Sequence, residues 1–195
     1  MFSWGYPDPS ILAFDGVGSD DLDAQPGWTT EVGESFQIGT IWYHNGINGS
    51  TTADGITGVD LSIQLEITNP DLGLTDEFTF EFGILNTPNR WWKIPDYVFE
   101  EDFFSDTTFE IDDGIYTLRL LGFGDSDGSQ TDGYSDYLKS HEGRTRHAGL
   151  YAQIDQVGQR NPPPTNQVPE SPVSTAFLLF GAVSAMSAYR QRSRR

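Results

Sequence analysis

The sequence predicts an all-β protein, an antiparallel β-sandwich or jelly-roll-like domain, carrying a hydrophobic helix at its C-terminal end. Two windows alternate apolar and polar residues with a period of two: Val59, Leu61, Ile63, Leu65 and Ile67 in VDLSIQLEIT, and Phe78, Phe80, Phe82 and Ile84 in EFTFEFGIL. Successive Cβ atoms of an extended chain point to opposite sides, so this is the signature of a strand with one buried face. Turn chemistry separates such runs at short intervals, and no periodic helical stripe occurs before the tail. Strands without intervening helices pack as sheet on sheet.

Taken in order, the chain offers a short run at Ile11 to Phe14, then Phe36 to Tyr43 (FQIGTIWY), Val59 to Thr68 and Glu77 to Leu85. Shorter runs follow at Tyr97 to Phe99 and Thr107 to Ile111, then Ile115 to Phe123 (IYTLRLLGF) and Gly149 to Val157 (GLYAQIDQV), about eight strands in all. Between them lie HNGINGSTTADG, NPDLG, NTPN and DDG, rich in the Gly, Asn, Asp and Pro that supply turn dihedrals and local side-chain hydrogen bonds.

Charge divides the chain. Of 195 residues, 29 are acidic and 11 basic, a formal net charge of -18. Residues 170 to 195 hold Arg190, Arg192, Arg194 and Arg195 against the single acid Glu170, leaving residues 1 to 169 with 28 acids and 7 bases, a net of -21. Such a body excludes the usual nucleic-acid binder, whose affinity comes from clustered Lys and Arg on phosphates. The absence of cysteine excludes thiolate metal sites, Cys nucleophiles and disulfides together.

The tail reads as a targeting device. From Val173 to Tyr189 run 17 uncharged residues, followed at once by RQRSRR. That length is at the lower limit for spanning a bilayer, which needs about 20 apolar residues. The four arginines would stay cytoplasmic and orient the acidic body outward. Upstream, QRNPPPTNQ favours an extended spacer. The expected organisation is therefore a sandwich over 1–158, a Pro-rich linker over 159–167 and a sorting or anchor tail over 168–195.

Val168-Pro169-Glu170-Ser171-Pro172, then a short apolar span, then an Arg-rich end, resembles the PEP-CTERM sorting signal of exported bacterial proteins. The usual core is Pro-Glu-Pro, and here Ser171 stands before the second proline. The resemblance implies recognition in the membrane by an exosortase-type transpeptidase and display at the cell surface or in the extracellular matrix. The order of the body's pieces, WGYPDPSILAFDG, SFQIGTIWYHNG, FGILNTPN, GIYTLRLLGF and AGLYAQI, resembles the choice-of-anchor K domain over roughly residues 2 to 157. Residues after Met1 (FSWGYPDPS) show neither a basic n-region nor an apolar h-region, so export predicts a signal peptide encoded upstream of Met1.

Candidate chemistry is sparse. The loop Gly124 to Asp136 (GDSDGSQTDGYSD) is the densest acidic segment, and Asp125, Asp127, Asp132 and Asp136 are candidate Ca2+ ligands, since Ca2+ takes six to eight oxygens from a flexible turn. It is not an EF-hand loop: Gln130 and Asp136 stand where Gly and Glu would be required. The run Asp15 to Asp23 is a weaker acidic candidate. Glu100-Glu101-Asp102 offers adjacent carboxylates, but neighbours along a strand point apart and make a poor glycosidase pair. His44, His141 and His147 form no metal motif, and neither a nucleophile elbow nor a phosphate loop is present. No catalytic residue is assigned, and the chain reads as non-enzymatic. Aromatic residues Trp42, Tyr43, Trp91 and Trp92, with Trp28, are candidates for stacking on a polysaccharide.

Overall fold

A computed structural model describes residues 1–17, 29–47, 58–67, 74–87, 94–125, 133–160 and 178–184, the last for the backbone only. Every described pairing is antiparallel and no described residue is helical. The described residues form twelve strands: β1 (Phe2–Trp4), β2 (Ser10–Gly16), β3 (Thr29–Thr30), β4 (Ser35–Asn45), β5 (Gly58–Ile67), β6 (Leu74–Leu85), β7 (Asp96–Glu100), β8 (Phe104–Ile111), β9 (Gly114–Gly124), β10 (Tyr137–Ser140), β11 (Arg144–Gln159) and β12 (Leu178–Ser184).

The strands form two six-stranded sheets, ordered β1-β2-β4-β11-β9-β8 and β10-β7-β6-β5-β12-β3. Their inner faces meet in one apolar cluster, as the alternation in β5 and β6 predicts. Leu61, Ile63 and Leu65 face inward from β5, and Phe78, Phe80, Phe82 and Ile84 from β6. Aromatic pairs bridge the sheets: Phe78 meets Phe109 edge-on at 5.9 Å, and Phe82 lies 6.1 Å from Phe123. Each such buried phenyl contributes roughly 1.5–3 kcal/mol of transfer free energy.

All eight expected strands are present, most of them longer than the pattern alone indicates. Between β8 and β9 the DDG segment makes a two-residue hairpin, Ile111 facing Gly114, with Asp112 in the left-handed region at φ 52°. Asp tolerates that conformation because its short side chain bonds locally. Strands β1, β3 and β10 are additional; they are four residues or shorter, and β10 (YLKS) brings only Leu138 to the core, too little to stand out as a pattern.

Seven residues of the tail are described. Leu178–Ser184 (LLFGAVS), inside the stretch predicted as helix, is extended and pairs with β5 and β3. Val183 is β-branched and suits a strand, and β5 offers ladder partners. The rest of the linker and tail lies outside the described residues.

Strand β11 is the spine of the first sheet. Its register slips between Leu150 and Tyr151 against β4, and between Tyr151 and Ala152 against β9. Each slip leaves one extra residue on the neighbour, Ile38 and Leu121, as in a β-bulge. Inward residues of β4 therefore change parity: Phe36 and Ile38 before the bulge, Ile41, Tyr43 and Asn45 after it. That change turns Trp42 outward.

Candidate functional site

Three places on this scaffold gather chemistry. The first is the outer face of the first sheet around Trp42. Trp42 is flanked in register by Ala13 and His147, and the His147 ring meets the indole edge-on at 4.2 Å. The indole remains 46% exposed. Two residues along the strand in either direction, about 7 Å away on the same face, lie polar rows: His44 between Ile11 and Thr145, and Thr40 between Asp15 and Gly149. His44 Nδ1 is 3.0 Å from Thr145 Oγ1, and its Nε2 is 3.6 Å from Asp8 Oδ1. A flat apolar ring bordered by hydroxyl, imidazole and carboxylate groups suits the face of a sugar ring.

Tyr43, grouped with Trp42 by sequence adjacency, does not belong to this face. It is fully buried, stacked on Trp4 with ring centroids 6.1 Å apart, because parity sends neighbours on a strand to opposite sides. Trp28, Trp91 and Trp92 lie outside the described residues.

The second place is the buried polar network that Tyr43 enters. Its hydroxyl donates to Asp96 Oδ2 at 3.3 Å, while Asp96 Oδ1 accepts from the Thr87 amide at 2.7 Å and the Thr87 hydroxyl at 2.8 Å. Asn45 Nδ2 donates to the Ser140 carbonyl at 3.1 Å, and the Gly143 amide donates to the Asn45 carbonyl at 2.6 Å. Burial raises Asp96 above the usual carboxylate range against the pull of the Thr87 and Tyr43 donors. Burial pushes Glu142 up to about 7; Asp96 and Asp8 add to the effect, and Asn45 opposes it. Burial and the Asp96 charge likewise raise the Tyr43 phenol. This network ties β4, β7 and the β10–β11 turn together.

The third place is the rim where β7 and β10 end. In DYVFE the inward set is Asp96, Val98 and Glu100. Glu100 is only 6% exposed, and neither carboxylate oxygen has a hydrogen-bond partner. Burial first, then the charge of Asp136, pushes it up to about 8. Beside this rim is a cavity of about 340 Å3, walled by Phe123, Gly124, Asp125, Tyr134, Ser135 and Leu138 among others. The structure thus brings Asp125 and Asp136, two of the four sequence candidates for Ca2+, to the same end of the sandwich. Asp127 and Asp132 lie outside the described residues. Among the described residues, no group of three or more His, Asp or Glu is gathered as a metal-ligand set.

Glu100, Asp96 and Glu142 are carboxyls whose pKa burial raises; of these the sequence offered only Glu100, and that as part of the adjacent run with Glu101 and Asp102. Alternation inward from Val98 was the signal available for the first two. Val168, Pro169, Glu170, Ser171, Pro172, Arg190, Arg192, Arg194 and Arg195 lie outside the described residues. No described helix is long and apolar enough to cross a membrane. No protein-family model and no curated protein matches the chain.

Proposed function

We propose that this chain is an exported, non-enzymatic β-sandwich protein of the cell surface or extracellular matrix, delivered by a PEP-CTERM-like tail that an exosortase-type membrane transpeptidase recognises. The layout of residues 159–195 carries this reading: a Pro-rich spacer, Val168-Pro169-Glu170-Ser171-Pro172, 17 uncharged residues and four arginines. The sandwich's longest strand ends where that spacer begins, with the Arg160 amide donating to the Asp113 carbonyl at 2.7 Å. Within a bilayer the apolar segment would have to satisfy its backbone hydrogen bonds internally and so fold as a helix. Expressing the gene with its upstream sequence in its host and fractionating the cells tests the proposal. The expected result is a surface or secreted body lacking the arginines. A soluble cytoplasmic protein with Arg195 intact overturns it.

The face around Trp42 favours a second reading, in which the displayed domain holds extracellular polysaccharide. Stacking of a sugar ring on an exposed indole, with polar rows on both sides, is the expected mode. On a glycan array, Trp42→Ala should abolish binding while leaving the melting temperature unchanged. Equal binding by wild type and variant refutes this reading, and so does the absence of binding by either.

A further inference from the structure

The exposed indole of Trp42 lies beside the stretch of the described body where positive charge collects. The described Lys and Arg residues are Arg119, Lys139, Arg144, Arg146 and Arg160. Arg119 is held by Asp155 at 2.6 Å and Arg160 by Glu110 at 3.4 Å. The other three fall within residues 139–146, and among the described residues they make no ion pair. The histidines share this neighbourhood: His141 and His147 by sequence, and His44 through its 3.0 Å contact with Thr145. In a chain with a net charge of -18 this is a local reversal of sign.

Strand register ties the strip to the indole. Arg144, Thr145, Arg146 and His147 of β11 pair in order with Asn45, His44, Tyr43 and Trp42 of β4. Thr145 and His147 share the outer face with Trp42. Arg144 and Arg146 alternate with them and have the other parity, yet both are exposed. β9 joins β11 only from Gly149 onward, so among the described residues 144–148 have a ladder partner on the β4 side alone. Arg146 is one residue, about 3.4 Å of strand, from His147. A guanidinium on a long, flexible stem at such a flank can reach a ligand lying across the strand.

The acids nearest the strip are engaged or partly neutral. Asp8 lies 3.6 Å from His44 Nε2 and accepts from the Ile47 amide at 3.0 Å. Glu142, in the turn before β11, is pushed up to about 7, chiefly by burial, so near neutral pH it carries only part of a charge. Asp15 stands beside Thr40, one row beyond Trp42. Exposed charges are screened over about 8 Å at physiological ionic strength. A ligand on this strip therefore meets the adjacent guanidinium groups rather than the distant carboxylates of the body.

We infer that the ligand of the Trp42 face is an acidic polysaccharide, a sugar ring stacked on the indole and its carboxylate or sulfate group held by Arg144 and Arg146. This rests on the glycan-binding reading above and names the class of glycan. Stacking accepts any sugar with an apolar face, so the arginines supply the discrimination. A guanidinium presents paired donors that match two oxygens of an anionic group, and such charge-assisted hydrogen bonds are about twice as strong as neutral ones.

The test titrates the full chain by calorimetry with two pairs of polymers, polygalacturonate against neutral galactan and dextran sulfate against dextran. Wild type should bind at least one charged polymer tenfold or more tightly than its neutral counterpart, and the pair that shows the preference identifies carboxylate or sulfate. The double variant Arg144→Gln/Arg146→Gln should lose the preference while keeping its melting temperature. Lys139→Gln, an exposed cation on β10 of the other sheet, should change nothing. Trp42→Ala should weaken binding of charged and neutral polymers alike. Equal affinity for charged and neutral polymers overturns the inference and leaves glycan binding standing. A preference that survives in the double variant overturns it too, and if no polymer binds, both readings fall.

Discussion

Replacing Glu100 by Gln should reverse the pH dependence of stability that this side chain imposes. The carboxyl is moved from its ordinary 4.5 up to about 8, chiefly by burial and further by Asp136. The folded state therefore holds this proton more tightly than the unfolded chain does. The resulting stabilisation is fully present below pH 4.5 and is lost as pH rises through 8. Over the whole interval it amounts to about 5 kcal/mol, at about 1.4 kcal/mol per pH unit. Gln keeps the shape but does not titrate, and its unpaired amide costs about 1–3 kcal/mol at every pH. The variant should thus be less stable than wild type near pH 4 and more stable near pH 9, the two curves crossing between about 5 and 7. Guanidinium unfolding in EDTA, followed by tryptophan fluorescence at constant ionic strength, measures this. Asp96 and Glu142 add to the slope in both proteins and cancel in the difference. Parallel stability curves would refute the account of Glu100 as a buried, donor-free acid.

Three further outcomes follow from the packing. Gly122→Ala should lower stability by about 1–3 kcal/mol, since φ there is +118° and an added Cβ would meet the Ser135 carbonyl oxygen at 2.7 Å; urea melts check this. A double-mutant cycle of Phe78→Leu and Phe109→Leu should give a coupling of about 0.5–1.5 kcal/mol, because the edge-on pair joins the two sheets. Tyr43→Phe should cost about 1 kcal/mol through the lost hydrogen bond to buried Asp96, and amide exchange at Thr87 should quicken as its acceptor loses a partner.

Most of the body's architecture was legible because its strands obey one rule. In β5 and β6 the apolar residues at alternate positions are the ones that enter the core, so a period of two identified both strand and face. The same rule failed in β4, where the bulge at Ile38 shifts parity midway; nothing in FQIGTIWY marks the slip, which arises from pairing with β11. Trp42 and Tyr43 consequently looked like neighbours on one surface although one faces solvent and the other the core. Glu100 was hidden for the opposite reason. A charge is ordinarily a solvent-side signal, and only the partners supplied by β6 and β10 show that this one points inward. β10 itself, with Leu138 as its single core residue, exists because β7 and the Phe123–Ser135 bridge position it. Its strand character is tertiary in origin.

The way the sheets end has a consequence for a protein crowded among copies of itself. The first sheet is bounded by β1, three residues long, and by β8, whose pairing with β9 is irregular and whose Asp106 and Glu110 are exposed. The second sheet ends on one side in β10, four residues long. Short, irregular and acidic borders make poor templates for another copy's backbone. With a net charge of -18, neighbouring copies also repel. Along these three borders the domain offers a neighbouring copy's backbone little to pair with.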